Sequence, residues 1–423
     1  MDQYITKNGK QLKYGYTTGS CATAAARAAV DMLLYQKALS YVEIDTPKGW
    51  RLTIPISDVD LERDRVACTV IKDAGDDPDV THGKAIRAEV KWLGSKDGDT
   101  DGDGDRQDPG NRQDPGNLAG AKDTATPGAI DQASKGVWLN DQIFLVGGRG
   151  IGHVTKPGLS VAVGEPAINP VPRQMITSEV MQVLPSDRRV LVTISVPEGE
   201  KLAKRTFNPR LGIVGGISII GTSGIVEPMS EEALTASMKL DISVLRAQQV
   251  DKVLFSPGNY GRDYAIDQGL DTSHLVKTSN FIGFMIDEAL EQGVEEVLWV
   301  GHIGKLVKVA AGIFHTHSKI ADGRMETLAA HLALMGAPVD LAQRVMGANT
   351  TDEAVDHILA AGYREVFHQL AEAITEKSIQ RAGEEVTFAT ILFNKVHGEL
   401  GRCHRAGALE AHFSQGQMRR GQE

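Results

Sequence analysis

Cysteine is scarce in this chain of 423 residues: only Cys21, Cys68 and Cys403, far apart and in no metal-ligand spacing. That argues against a disulfide scaffold and favours a reducing, cytoplasmic setting. No uninterrupted apolar run approaches the roughly 18 residues that cross a bilayer. The first residues, MDQYITKNGK, lack the apolar core of a signal peptide. A basic excess is missing too, since the formal net charge is −10, which gives no support to nucleic-acid binding. Neither G-x-G-x-x-G nor the P-loop pattern occurs, so a dinucleotide or a nucleoside triphosphate is not favoured.

What is present is an ordinary globular composition, 41% hydrophobic and 24% charged, long enough for two or three domains. Residues 94–134 stand apart: nine Asp against four Lys or Arg, and a tandem repeat, RQDPGN, at 106–111 and 112–117. So polar a segment buries too little apolar surface to offset its ordering entropy and reads as a disordered insertion. Asp97, Asp99, Asp101, Gly102 and Asp108 fit part of a calcium-loop pattern. Gly104 stands where an apolar residue belongs, and the Pro- and Gly-rich continuation gives no exiting helix, so the disordered loop is preferred.

Around the insertion, Thr17 or Thr18 can cap a helix built from CATAAARAAVDMLLYQ. Strand-like stretches at 41–46, 51–56, 66–72, 86–92, 137–146 and 190–196 suggest an α+β domain over 1–205. From 206 the rhythm changes. Apolar strands at Ile213–Ile220, Val253–Ser256 and Val297–Val300 each run into a glycine-bearing loop and a helix, and Val386–Phe393 closes the series. The alternation predicts an α/β domain over 206–415 with a short parallel sheet of about four strands, ligands binding at its carboxyl edge. A flexible tail, 416–423, would follow.

The three loops give the cofactor candidates: Gly221, Thr222 and Ser223; Gly258, Asn259, Tyr260 and Gly261; Gly301, His302 and Gly304. Glycine lets backbone approach a ligand, and a helix N-terminus favours its anionic part. Each could equally be a tight turn. Arg149, Lys156 and Arg173 lie in the glycine cluster 147–152 and the runs after it, a set suited to carboxylates. Lys72-Asp73-Ala74-Gly75-Asp76-Asp77-Pro78-Asp79 offers Asp76 and Asp77 as catalytic candidates, against a turn-forming role for the same acids. His315 and His317, two residues apart, do not share a helical face. Helix-end packing or substrate contact is favoured for them over metal, and no metal site is assigned.

Seven runs then converge. They are GYTTGSCA from Gly15, KDAGDDPDVT from Lys72, AINPVPR from Ala167, FNPRLGIVGGISIIGTSGIVEPM from Phe207, PGNYGR from Pro257, KTSNFIG from Lys277 and GHIGKLVKVAAGIFHTH from Gly301. In this order they resemble the cobalt-precorrin-5B C(1)-methyltransferases, the CbiD family, over nearly the whole chain except the insertion and about the last twenty residues. The resemblance implies methyl transfer from S-adenosylmethionine to C-1 of a cobalt-precorrin, giving cobalt-precorrin-6A, and an α+β domain followed by an α/β domain. The cobalt would enter only as part of the substrate. Small-molecule substrate, no nucleic acid, no membrane, and transient contact with other corrinoid-pathway enzymes fit that role. Within the resembling runs, Thr17, Thr18, Asn169, Arg210 and Lys305 join Arg149, Lys156 and Arg173 as substrate-binding candidates, with His315 among the catalytic ones. Two rivals stay open on residues alone: another enzyme of the same substrate class that needs no S-adenosylmethionine, and a non-catalytic carrier of labile precorrins.

If 94–134 is a disordered insertion, replacing it by a short Gly-Ser linker leaves melting temperature and activity nearly unchanged, because closure entropy depends weakly on loop length. Thermal unfolding and turnover check this; a large loss of either, or tight stoichiometric calcium binding by the intact chain, counts against it.

Overall fold

The computed structural model describes residues 3–7, 9–95 and 136–420. The insertion expected at 94–134 therefore lies, from residue 96 on, outside the described residues. The chain forms two compact units divided between Ser230 and Glu231. The boundary falls later than the expected 205/206, and the reason is visible in the strand pairing. Ile213–Val214 pairs antiparallel with His153–Val154, and Ile225–Val226 with Gly15–Tyr16. The apolar run 213–220 thus belongs to the first unit and adds no strand to a parallel sheet.

The first unit is α+β. Its six-stranded sheet has the order Ser57–Leu61, Arg65–Ile71, Ala85–Ser95, Arg188–Ser195, Ile143–Gly147, Gly136–Trp138. All neighbours are antiparallel except Ile143–Gly147 beside Arg188–Ser195. The single strand expected over 137–146 is broken in two, because the Asn140 side chain accepts from the amides of Gln142 and Ile143 and turns the chain. The helix Thr18–Tyr35 crosses this sheet. Its small residues, Ala22, Ala24, Ala25, Ala26, Ala28 and Ala29, are all fully buried, so the helix is enclosed almost all round. Arg27, partly exposed, donates 3.0 Å to the buried Glu179 carboxylate of the helix Pro170–Met181.

A second buried charge holds the turn after Arg65–Ile71. Lys72, 2% exposed, places its ammonium on the Asp79 carboxylate and 2.7 Å from Thr81 Oγ1. Burial by itself would raise the Asp79 carboxyl. The Lys72 charge beside it and the bonds from Lys72 and Thr81 outweigh that and hold it below its ordinary 3.8.

The second unit is α/β. Leu275–Lys277, Lys252–Ser256, Glu296–His302 and Thr387–Asn394 lie parallel in that order, and Gly398–Arg402 closes one edge antiparallel. The unit is doubly wound. The helix Asn259–Asp267 packs so close to Ser256 and Val300 that a Cβ on Gly261 would lie 2.1 Å from Ser256 Oγ. The opposite face, carrying Phe255, Trp299 and Thr390, meets the helix Val366–Ala382, whose Thr375 hydroxyl lies 2.9 Å from that of Thr390. The last helix, Ala406–Arg420, runs into the segment expected as a flexible tail. Among the described residues no helix is long and apolar enough to cross a membrane.

Removing one partner of a buried ion pair leaves the other uncompensated. Asp79→Asn is expected to lower the free energy of unfolding at pH 7 by about 3 kcal/mol. A carboxyl depressed in the folded state contributes stability above its unfolded value, and that contribution disappears as pH falls through the folded value. Below about pH 4 the difference between wild type and Asp79→Asn therefore shrinks; denaturant unfolding across pH measures both effects.

Candidate functional site

The topology of the second unit singles out one place. From Lys252–Ser256 the chain passes along one face, through Asn259–Asp267, to the edge strand Leu275–Lys277. It then returns by the other face, through Ile282–Glu291, to Glu296–His302 on the far side of Lys252–Ser256. The loops after Lys252–Ser256 and Glu296–His302 consequently leave toward opposite faces and open a crevice between them, the position where such sheets bind ligands.

Both walls of the crevice are helix N-termini. Gly258 precedes the helix Asn259–Asp267, and among the described residues no side chain caps the first-turn amides. Ser256 Oγ turns back 2.9 Å to the Gly258 carbonyl and shapes the loop. Across from it, His302 caps the helix Ile303–Ala310, its Nδ1 accepting from Gly304 N at 3.1 Å. Burial lowers the His302 imidazole, and Lys395 adds to that against the opposing pull of Asp352, whose carboxylate is 3.6 Å from Nε2. A neutral ring is the form that can cap. Lys305 reaches over the crevice and donates 2.7 Å to the Pro257 carbonyl. Its ammonium has no carboxylate partner among the described residues, and burial, then Lys308, pushes it below its ordinary value. A Cβ added to Gly258 would meet nothing closer than Lys305 Nζ at 4.0 Å, so this side of the loop is open. An uncapped helix start and an unneutralised ammonium together favour an anionic group, such as a carboxylate.

Seven of the ten cofactor candidates gather here: Gly258, Asn259, Tyr260, Gly261, Gly301, His302 and Gly304, with Lys305 beside them. Asn259 accepts from Lys277 Nζ at 2.7 Å, and the exposed Tyr260 ring lies 3.4 Å under Lys395 Nζ. Gly261 and Gly301 serve packing, since a Cβ on Gly301 would collide with Leu306 at 2.4 Å. Gly221, Thr222 and Ser223 follow no strand of this sheet. They lie in the first unit, where a Cβ on Gly221 would strike the Thr17 side chain at 2.3 Å and the Ser223 carbonyl accepts from Lys48 N. The third loop of the expected cofactor edge is thus a closure of the Thr18–Tyr35 helix.

The other candidates divide by what already occupies them. Thr17 caps Thr18–Tyr35 through Ser20 N, and the Thr18 hydroxyl both donates to and accepts from Ile220. Arg173 is consumed by the carbonyls of Ile168 and Pro166 and by Glu165. Asp76 binds Lys13 N at 2.6 Å and Asp77 binds Met229 N at 3.0 Å, so both acids fasten neighbouring chain to the turn. Asn169 starts the helix Pro170–Met181 without using its side chain as a cap. Arg149 and Arg210 are exposed and Lys156 half-buried, and no hydrogen bond or ion pair engages their charged groups among the described residues. His315 sits edge-on to Phe281 at 5.0 Å, with both ring nitrogens buried and, among the described residues, without a hydrogen-bond partner.

Sequence reasoning missed Thr278, whose buried hydroxyl has no partner among the described residues, and Lys277, Asp352 and Lys395 around the crevice. The edge strand Leu275–Lys277, only three residues long, is too short for alternation to reveal.

Two family models match: CbiD over residues 5–228 and the CbiD C-terminal domain over 315–404. A cobalt-precorrin-5B C(1)-methyltransferase of Alkaliphilus metalliredigens is 47% identical, covering 97% of each chain. One of Thermoanaerobacter sp. is 49% identical over 86% of this chain and 87% of its own. One of Clostridioides difficile is 40% identical over 97% and 99%. A solved structure described as cobalamin biosynthesis protein (cbiD) from Archaeoglobus fulgidus is 26% identical and covers 75% of this chain and 86% of that one. Its TM-score of 0.35 is too low to carry any argument about the fold.

The two crevice glycines should respond differently to a methyl group. Gly261→Ala overpacks Ser256 and the Val300 carbonyl and is expected to cost about 1–3 kcal/mol. Gly258→Ala, pointing into open space, changes stability by less than about 0.5 kcal/mol. Denaturant midpoints of the two variants check the assignment of one glycine to packing and the other to the open crevice.

Proposed function

The chain belongs to the CbiD family, and from that premise we propose that it methylates C-1 of cobalt-precorrin-5B, giving cobalt-precorrin-6A, in cobalamin biosynthesis. S-adenosylmethionine, when bound, supplies the electrophilic methyl group. The observation that carries the placement of this donor is the crevice between Pro257–Arg262 and Gly301–Lys305. There the free amides at the start of Asn259–Asp267 and the Lys305 ammonium suit the methionine carboxylate. Gly258 leaves room for backbone contact, and Tyr260 and His302 border the opening.

The residues of the chain have positioning to do rather than covalent chemistry. Holding an electron-rich macrocycle in line with a sulfonium methyl, away from water, accounts for most of the rate required. No general base is assigned, since Asp76 and Asp77 are tied to backbone amides. His315 remains a candidate for ligand contact, because two unsatisfied ring nitrogens are costly unless something meets them. The reading places the enzyme in the cytoplasm, where its three free, buried cysteines stay reduced.

The direct test is turnover. Purified protein with cobalt-precorrin-5B and S-adenosylmethionine should yield a product heavier by one methyl replacing one hydrogen or proton; no mass gain, or gain without the donor, rejects the proposal in favour of a carrier or another enzyme. For the donor site, Lys305→Met and Gly258→Val should each weaken S-adenosylhomocysteine binding about tenfold or more, as expected for loss of a bond to a charged group. Calorimetric titration reads this. Weakening by Arg149→Gln, with both crevice variants binding normally, moves the donor to the first unit.

A further inference from the structure

Most cations of the first unit are matched. Lys7, Arg27, Arg51, Arg65, Lys72 and Arg173 all sit on carboxylates. Four that have no such partner among the described residues, Arg149, Lys156, Arg205 and Arg210, belong to segments that the fold ties together. Thr155 donates its amide and hydroxyl to the Gly212 carbonyl at 2.8 and 2.7 Å. The Lys156 stem covers Gly212 so closely that a Cβ there would lie 2.5 Å from Lys156 Cγ. Arg210 N bonds to the Phe207 carbonyl at 3.0 Å. The backbone of Gly150, next to Arg149, packs against both Gly199 and Gly216, with a Cβ on Gly216 falling 2.2 Å from the Gly150 carbonyl oxygen. The buried Asn208 side chain joins Gly216 and Ser218 and pins the loop.

Between these cations the same loop exposes apolar surface. Phe207 is 46% exposed and Val214, paired with His153, is 57% exposed. Phe207 is flanked in sequence by Asn208, which is buried, so the ring is turned outward while its neighbour anchors the loop. A bare polyanion site has no use for an exposed phenyl ring, and a protein core would not leave it among unpaired cations.

Resting on the substrate class proposed above, we infer that the outer face of the 204–216 loop, with Lys156 and Arg149 beside it, docks the tetrapyrrole macrocycle itself. The apolar body of the ring system covers Phe207 and Val214. Its acetate and propionate carboxylates meet Arg205, Arg210, Lys156 and Arg149, guanidinium groups being suited to paired bonds with carboxylate oxygens. Arg173, for all its place in a basic run, is excluded from this face by its three internal partners.

The probe is uroporphyrin, a flat tetrapyrrole with eight carboxylates, titrated by fluorescence quenching into the full chain. The Arg205→Gln/Arg210→Gln double variant is expected to bind it at least about tenfold more weakly, with a shallower salt dependence. Phe207→Ser is expected to bind it about fivefold more weakly through lost apolar contact. Lys37→Gln, an exposed cation elsewhere on this unit, stays within about twofold, and S-adenosylhomocysteine affinity is the same in all. No uroporphyrin binding by wild type, or a double variant as tight as wild type, overturns the dock. Polyglutamate competing as well as the porphyrin also overturns it, by assigning the face to polyanions at large. The two readings fail separately. Porphyrin binding lost in the double variant, with no methyl transfer by wild type, rejects the activity and leaves the dock. Methyl transfer with an unchanged KM for cobalt-precorrin-5B in the double variant does the reverse.

Discussion

The start of the Thr18–Tyr35 helix is closed by backbone 202 residues further along the chain. The helix is buried nearly all round, so its first-turn amides and hydroxyls have no water to turn to, and each needs a partner inside the protein. Ile220 and Gly224 supply them. The Gly19 amide and Thr18 hydroxyl reach the Ile220 carbonyl, and Ser20 Oγ donates 2.6 Å to that of Gly224. The first unit cannot complete its core until the chain has returned past residue 220. Beyond that point Glu227 pairs with Lys7 and Lys48, and Met229 N with Asp77, so the segment up to Ser230 is fastened into the same body.

This closure shapes the rest of the unit. The chain leading to it, 204–220, has to pass over the glycine-rich backbone of 147–152. It does so at distances only glycine permits: a Cβ on Gly216 would lie 2.2 Å from the Gly150 carbonyl oxygen, and one on Gly152 2.9 Å from that of Gly216. With its inner side taken up by Ile213, Ile217 and Ile219, which are buried, the segment leaves Phe207 and Val214 outward among unmatched cations. Apolar exposure and surplus positive charge thus arise together, as the two sides of one packing constraint.

The second unit answers a different demand. Its sheet is covered by helices on both faces, so accessible backbone lies at the carboxyl edge, where the helix Asn259–Asp267 starts without a side-chain cap among the described residues. The close approach of Gly261 to the sheet sets the start of Asn259–Asp267 at the crevice, and the cap by His302 fixes the facing helix. Lys305 on that second helix then brings its ammonium to the mouth of the first loop. The electrostatic preference for an anion follows from where two helices begin, and one lysine reinforces it.

Local chemistry was enough to read the Ala-rich helix with its threonine cap, the longer strands of the first unit, and two of the glycine loops at the edge of the parallel sheet. Those features depend on neighbours within a few residues: capping, period-2 alternation, and glycine after a strand. The seven runs spread along the chain likewise carried the family resemblance without any folding information. Tertiary structure decided what local pattern could not. The apolar run at 213–220 looks like a parallel strand from its composition, but its partners, Val154 and the start of the first helix, are far away in sequence. Arg173, Asp76 and Asp77 carry charges suited to a site, yet their environment spends them on internal amides and carbonyls. Arg210 and Lys156, no different in kind, are left unpaired among the described residues. Charge is a property of the residue, whereas availability is set by which groups the fold brings within hydrogen-bonding distance.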